Sequence, residues 1–139
     1  MTPRQIALVQ SSFAQVLPIA DTAAGMFYAR LFELAPQVRP MFKGDIAEQG
    51  RKLMAMLRTV VAHLDQPEVL LPAARQLARR HVAYGARDEH YAVVGAALLD
   101  TLGAGLGEAM TPETRQAWET AYGLLSTVMI QAAAEQAAA

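Results

Sequence analysis

The sequence contains no cysteine. A disulfide scaffold, a zinc–thiolate site, an iron–sulfur cluster and a thiol nucleophile are excluded together. Histidine is scarce: there are three, so any metal chemistry must run on very few protein ligands. An excess of one charge is missing too. Twelve Lys and Arg face 13 Asp and Glu, a net −1, which removes the electrostatic case for nucleic acid or an anionic membrane surface as partner. No long apolar run exists. The longest near-uncharged stretch, 91–107, is broken by Asp100 and four glycines and makes a poor membrane span. No Arg-flanked apolar leader opens the sequence, so a cytoplasmic location is expected. Ser11 and Ser12 have no nearby His/Asp constellation, which leaves serine hydrolysis unsupported. Gly103, Gly105 and Gly107 follow a helical pattern, not a strand, and form no phosphate loop. Alternating β-branched runs are absent.

What remains is helix. The chain has 139 residues, of which 53% are apolar and 28 are alanine. That length suits a single domain over 1–139 with room for a core and one cofactor. Thr2, Pro3 and Gln5 form a capping-box start for a helix running to about Leu17 and stopping before Pro18. A second helix starts near Ala20 and carries Ala24, Phe27, Tyr28, Leu31 and Leu34 on one stripe. Pro36 and Pro40 leave room for one tight turn ending at Met41 and Phe42. After Gly44, Asp45 and Glu48 cap a long helix with the stripe Leu53, Met56, Leu57, Val60, Val61 and Leu64. Pro67 and Pro72 bracket the next junction, and a shorter helix is expected from Pro72 to Tyr84. Gly85 and Asp88 mark its exit and the cap of a helix bearing Tyr91, Val94, Leu98 and Leu102. Thr111 and Pro112 start the last helix, whose buried spacing is Trp118, Ala121, Tyr122, Leu125, Val128 and Met129. The alanine-rich tail from Ala132 can fray.

Three polar residues interrupt apolar stripes. His81 stands where its helix calls for an apolar residue. It can be a core histidine bonded to a carbonyl, or a metal ligand. A lone imidazole cannot hold zinc, which takes three or four protein ligands. One histidine holds iron when a macrocycle supplies the other ligands. If a metal is present, haem is therefore the one that fits. Gln49 extends its stripe one turn upstream of Leu53, either as a solvated first-turn residue or as a pocket donor. Tyr28 lies beside Ala24 and Leu31, either as a core aromatic with a backbone partner or as a second donor. His63 and His90 read as boundary residues. Arg79 and Arg80 read as a solvated helix end or as cations for an acidic group at a pocket mouth.

These residues resemble a known family. Leu31-Phe32-Glu33-Leu34-Ala35-Pro36 with Phe42 six residues after the proline resembles the globin signature. Arg79-Arg80-His81-Val82-Ala83-Tyr84-Gly85 is similar to the proximal-histidine helix of bacterial globins, as are His90 to Gly95, Ala117-Trp118 and Ala121-Tyr122-Gly123. The resemblance spans about residues 4 to 131. It is closest to single-domain bacterial globins of the Hell's Gate type and to the haem domain of flavohaemoglobins. It implies an all-α globin fold, a three-over-three helical sandwich with a short third helix, holding haem b (iron protoporphyrin IX).

The resemblance also implies roles. His81 would be the proximal iron ligand and Phe42 would pack on the macrocycle. Tyr28 and Gln49 would be distal hydrogen-bond donors, with Leu53 the apolar neighbour one turn on. Tyr91 would lie near His81, Leu57 and Leu77 would line the haem gap, and Arg80 would meet a haem carboxylate. O2, NO and CO would be the ligands. The implied reaction is NO dioxygenation to nitrate, which leaves the haem ferric and requires an external reductase, since 139 residues leave no room for one. The other implied function is O2 or NO sensing or O2 storage without turnover. A monomer or weak homodimer is expected. One departure stands out: Ala133 falls where flavohaemoglobins carry a proximal glutamate. Glu135 lies about 200° further round the helix.

Overall fold

The computed structural model describes residues 1–42, 44–83 and 87–138. Among them there is no strand. Six helices carry the fold. α1 (Pro3–Val16) begins as expected: Gln5 N–H donates to Thr2 Oγ1 at 3.1 Å, and Thr2 N–H donates to Gln5 Oε1 at 2.9 Å. It buries Val9, Phe13 and Val16 at helical spacing. It tightens into a 3-10 turn over Leu17–Ile19, because Pro18 has no N–H to continue the α ladder. α2 (Ala20–Leu34) buries Ala23, Ala24, Phe27, Tyr28 and Leu31 on one side. Leu31, 1% exposed, contributes about 1.5–3 kcal/mol by leaving water.

The proline segment forms a 3-10 helix of two turns where one was expected, Pro36–Met41, and it delivers Phe42. Gly44 supplies a positive φ of 94°, and the Asp45 carboxylate then accepts Ala47 N–H at 2.9 Å to start α3 (Ile46–Ala62).

α4 (Pro67–Ala83) starts one turn and a half before the expected Pro72, which lies inside it. The Gln66 carbonyl accepts from Val69 and Leu70 N–H at 3.0 and 2.9 Å and closes the first turn. Pro72 therefore removes only the bond to the Glu68 carbonyl, and both residues are exposed, on a face where water can take that role. The end of the helix near Tyr84 and Gly85 lies outside the described residues. In α5 (Asp88–Leu106), Asp88 is the first helical residue and Arg87 the cap, one residue earlier than expected. Gly107, with φ 56°, terminates this helix and opens a short 3-10 turn. Thr111 Oγ1 accepts Thr114 N–H at 3.1 Å at the start of α6 (Pro112–Ala138). The helix takes in the alanine tail as far as Ala138, in line with alanine's helix propensity.

α2 packs on α3 and α5, α1 on α6, and α4 on α6. Residues 88–109 are apolar and long enough to cross a membrane by composition alone. Here they serve the core: Ala97, Leu98, Thr101 and Leu102 are buried, and Asp100 accepts from Arg30 of α2 at 2.9 Å. Trp118 of α6 donates its indole N–H to buried Ser12 of α1 at 2.9 Å, and the Ser12 hydroxyl donates in turn to the Leu8 carbonyl at 2.6 Å.

Candidate functional site

Two hollows open in the fold. One, of about 420 Å³, is lined almost wholly by aliphatics, with Asp65 its one ionisable side chain among the described residues. The other, of about 180 Å³, is smaller but gathers the chemistry. α2 supplies Phe27, Tyr28 and Leu31, and the proline turn and its exit supply Val38, Met41 and Phe42. α3 supplies Leu53 and Met56, and α4 supplies Leu77 and His81. The start of α5 adds His90, Tyr91 and Val94, and α6 closes the wall with Tyr122, Leu125, Ser126 and Met129.

Most polar groups on this wall are already directed. His81 Nδ1 lies 2.9 Å from the Leu77 carbonyl. A carbonyl can only accept, so Nδ1 carries the proton, and in the neutral ring the lone pair sits on Nε2. Such a bond also holds a ligating imidazole in orientation. Tyr91 stacks beside His81, with ring centroids 6.4 Å apart and planes 25° apart. The Tyr91 carbonyl in turn accepts the Tyr122 hydroxyl at 2.5 Å. Gly95 makes this possible, since a Cβ there would meet the Tyr122 ring at 2.6 Å. Burial raises the Tyr91 hydroxyl above its ordinary pKa, helped by Asp88, and burial drives Tyr122 well above it.

Across the cavity, the Tyr28 hydroxyl donates to the Gln49 main-chain carbonyl at 3.2 Å. Burial pushes its pKa up to about 12. α3 comes this close because Gly50 packs on Ala24, where a Cβ would stand 2.9 Å away. Tyr28, Phe32 and Phe42 form an aromatic cluster, with Tyr28 and Phe42 centroids 5.4 Å apart and Phe32 and Phe42 5.5 Å apart. The Arg39 guanidinium lies 4.9 Å over Phe32.

Of the residues singled out from sequence, Tyr28, Phe42, Leu53, Leu77, His81 and Tyr91 share this wall. Three do not. Gln49 is half-buried, and its link to the site is through its carbonyl. Leu57 is buried in the general core, and Met56 takes the wall position beside it. Arg80 is exposed on α4, one turn past Leu77.

The donor set suits one kind of group. Among the described residues no three His, Asp or Glu converge on a point that could hold a bare ion. His81, whose Nδ1–H is held by the Leu77 carbonyl in an apolar cavity, instead fits an iron that brings its own macrocycle. A family model for globins matches residues 25–129. The chain belongs to the globin family. Its globin relatives include the flavohemoprotein of Bordetella parapertussis, 35% identical over 133 residues, or 94% of this chain and 33% of that protein. The flavohemoprotein of Bacillus subtilis is 30% identical over 130 residues, 91% of this chain and 33% of that one. This globin therefore spans about a third of the length of the curated relatives it matches. A bacterial globin from Campylobacter jejuni superposes with a TM-score of 0.86 at 24% identity, covering 99% of this chain and 100% of that one. The fold is thus the all-α globin fold, and membership implies a haem cofactor. His81 is the side chain in this cavity that can hold its iron, Phe42 can pack on the macrocycle, and the aliphatic wall can shelter it.

Two contributors to the site escaped the sequence reading. Tyr122 reads as one more apolar-stripe residue, and His90 as a boundary histidine. The available signals were Gly95, a gap for a ring, and the position of His90 three residues after a helix cap.

Proposed function

We propose that this globin holds haem b on His81, binds O2, NO and CO, and converts NO to nitrate with electrons from a separate reductase. Haem supplies the iron that binds the gas and changes redox state. The chain supplies the environment, and Tyr28 is the observation that carries the reading. Its hydroxyl stays protonated across the physiological range, because burial holds its pKa near 12. Its present bond to the Gln49 carbonyl is long, at 3.2 Å. A neutral bond of that kind contributes about 0.5–1.5 kcal/mol, whereas one to a charged acceptor contributes about 1.5–3. An electron-rich diatomic ligand therefore outcompetes the carbonyl, which keeps its own intrahelical partner. Gln49, one turn before Leu53, is the second donor in this reading once its side chain turns into the cavity from outside the wall. A dry, apolar wall strengthens such bonds.

Slow release of O2 suits chemistry on the bound gas better than delivery. Ala133 supplies no proton acceptor on the proximal side, and Glu135 is exposed. That favours holding O2 intact over cleaving it, and it is the observation behind a second reading, an O2 store or O2/NO sensor. Aerobic NO consumption with a generic reductase separates the two. Many NO consumed per haem, with nitrate formed, supports dioxygenation. Loss of one NO per haem without recycling supports the store or sensor.

A further inference from the structure

The two histidines of the cavity wall carry their protons on opposite nitrogens. His81 has Nδ1–H, donated to the Leu77 carbonyl. His90 is the reverse: its Nδ1 accepts Arg87 N–H at 3.0 Å, so Nδ1 is unprotonated and the proton sits on Nε2. That bond is half of a capping box, with His90 at the third helical position of α5. The turn is held firmly, because the next residue's carbonyl accepts the Tyr122 hydroxyl from α6. Elsewhere on the wall the Tyr28, Tyr122 and Ser126 hydroxyls are engaged with the main-chain carbonyls of Gln49, Tyr91 and Gly123. His90 thus offers the cavity an N–H whose position the helix cap fixes.

We propose that His90 is a cofactor-positioning residue that donates Nε2–H to a carboxylate of the bound macrocycle, with Arg87 N–H selecting the tautomer that makes it a donor. This rests on the haem reading above. Two opposite tautomers divide the labour: one imidazole presents a lone pair to a metal, the other a proton to an anion. Carboxylate is the matching class, since a charged acceptor makes the stronger and shorter bond.

Two substitutions preserve the cap and differ at the cavity. Gln and Glu at this helix position both accept the cap N–H. His90→Gln keeps a donor for the cavity, while His90→Glu offers only an acceptor and a negative charge. Each protein, over residues 1–139, is loaded with haem or with haem dimethyl ester, whose carboxylates are blocked. Transfer of the porphyrin to an excess of scavenging apoglobin is followed by absorbance, and helicity by circular dichroism. Wild type and His90→Gln should release haem at similar rates, and His90→Glu about tenfold faster or more. With the dimethyl ester all three should release alike. Equal haem release by wild type and His90→Glu overturns the proposal, as does equal acceleration with haem and its ester, which marks a structural role. A wild-type protein that takes up neither porphyrin overturns the haem reading and this proposal with it.

Discussion

The hydroxyl of Tyr28 reaches the main chain of Gln49, not its side chain. The two distal candidates are therefore separable. Tyr28→Phe removes a proton donor from the wall and should speed O2 dissociation from the ferrous protein about tenfold or more. Gln49→Leu should leave Tyr28 in place and produce a smaller change. Stopped-flow O2 displacement by CO measures both, and an unchanged rate in Tyr28→Phe defeats the donor role.

Gly95 and Tyr122 make a sharper packing prediction. An alanine at 95 would put its Cβ 2.6 Å from the ring, so the ring must move and its hydroxyl must leave the Tyr91 carbonyl. Gly95→Ala should cost about 1–3 kcal/mol in chemical denaturation despite alanine's better helix propensity. If propensity alone governed the site, the variant would be more stable.

Two buried hydroxyls should respond in opposite directions. Ser12 accepts the Trp118 indole N–H, so Ser12→Ala strands a buried donor and should cost about 1–3 kcal/mol. Thr101 Oγ1 is buried without a hydrogen-bond partner, so Thr101→Val keeps the shape and should stabilise by about 1 kcal/mol. Urea midpoints at constant slope report both.

Alkaline pH should unfold the protein through its tyrosines. The ordinary phenol pKa is about 10, and burial raises Tyr28 to about 12 and Tyr122 further. A raised folded-state value means the associated stability is complete below about pH 10. It is lost as the pH climbs from there towards 12, because the unfolded chain releases protons first. Stability measured from pH 8 upward should fall in that window, and Tyr28→Phe should flatten the fall.

The helices were legible because their ends carry chemistry: Thr2 with Gln5, Asp45 after Gly44, and Thr111 before Pro112 all cap where their side chains can accept an N–H. Pro72 misled because a proline near a helix start interrupts a single bond on the solvent side. The pocket wall was half legible. His81, Tyr28 and Phe42 break or mark an apolar stripe, which periodicity exposes. Leu57 and Met56 are neighbours on one helix, and which of them faces a cavity depends on how α3 packs against α2, a distance no periodicity contains. His90 and Tyr122 act through hydrogen bonds closed by tertiary contact, so neither stands out along the chain.

The contact between Gly50 and Ala24 sets that distance. Two of the smallest residues meet there, the bare Cα of Gly50 against the methyl of Ala24. The same helix carries the Gln49 carbonyl to Tyr28 and sends Leu53 and Met56 to the cavity wall. The breadth of the Tyr28 side of the cavity is thus gauged from outside it. A single methyl added at position 50 would act as a shim, widening the chamber and slackening the tyrosine's tether without altering any residue that a ligand touches.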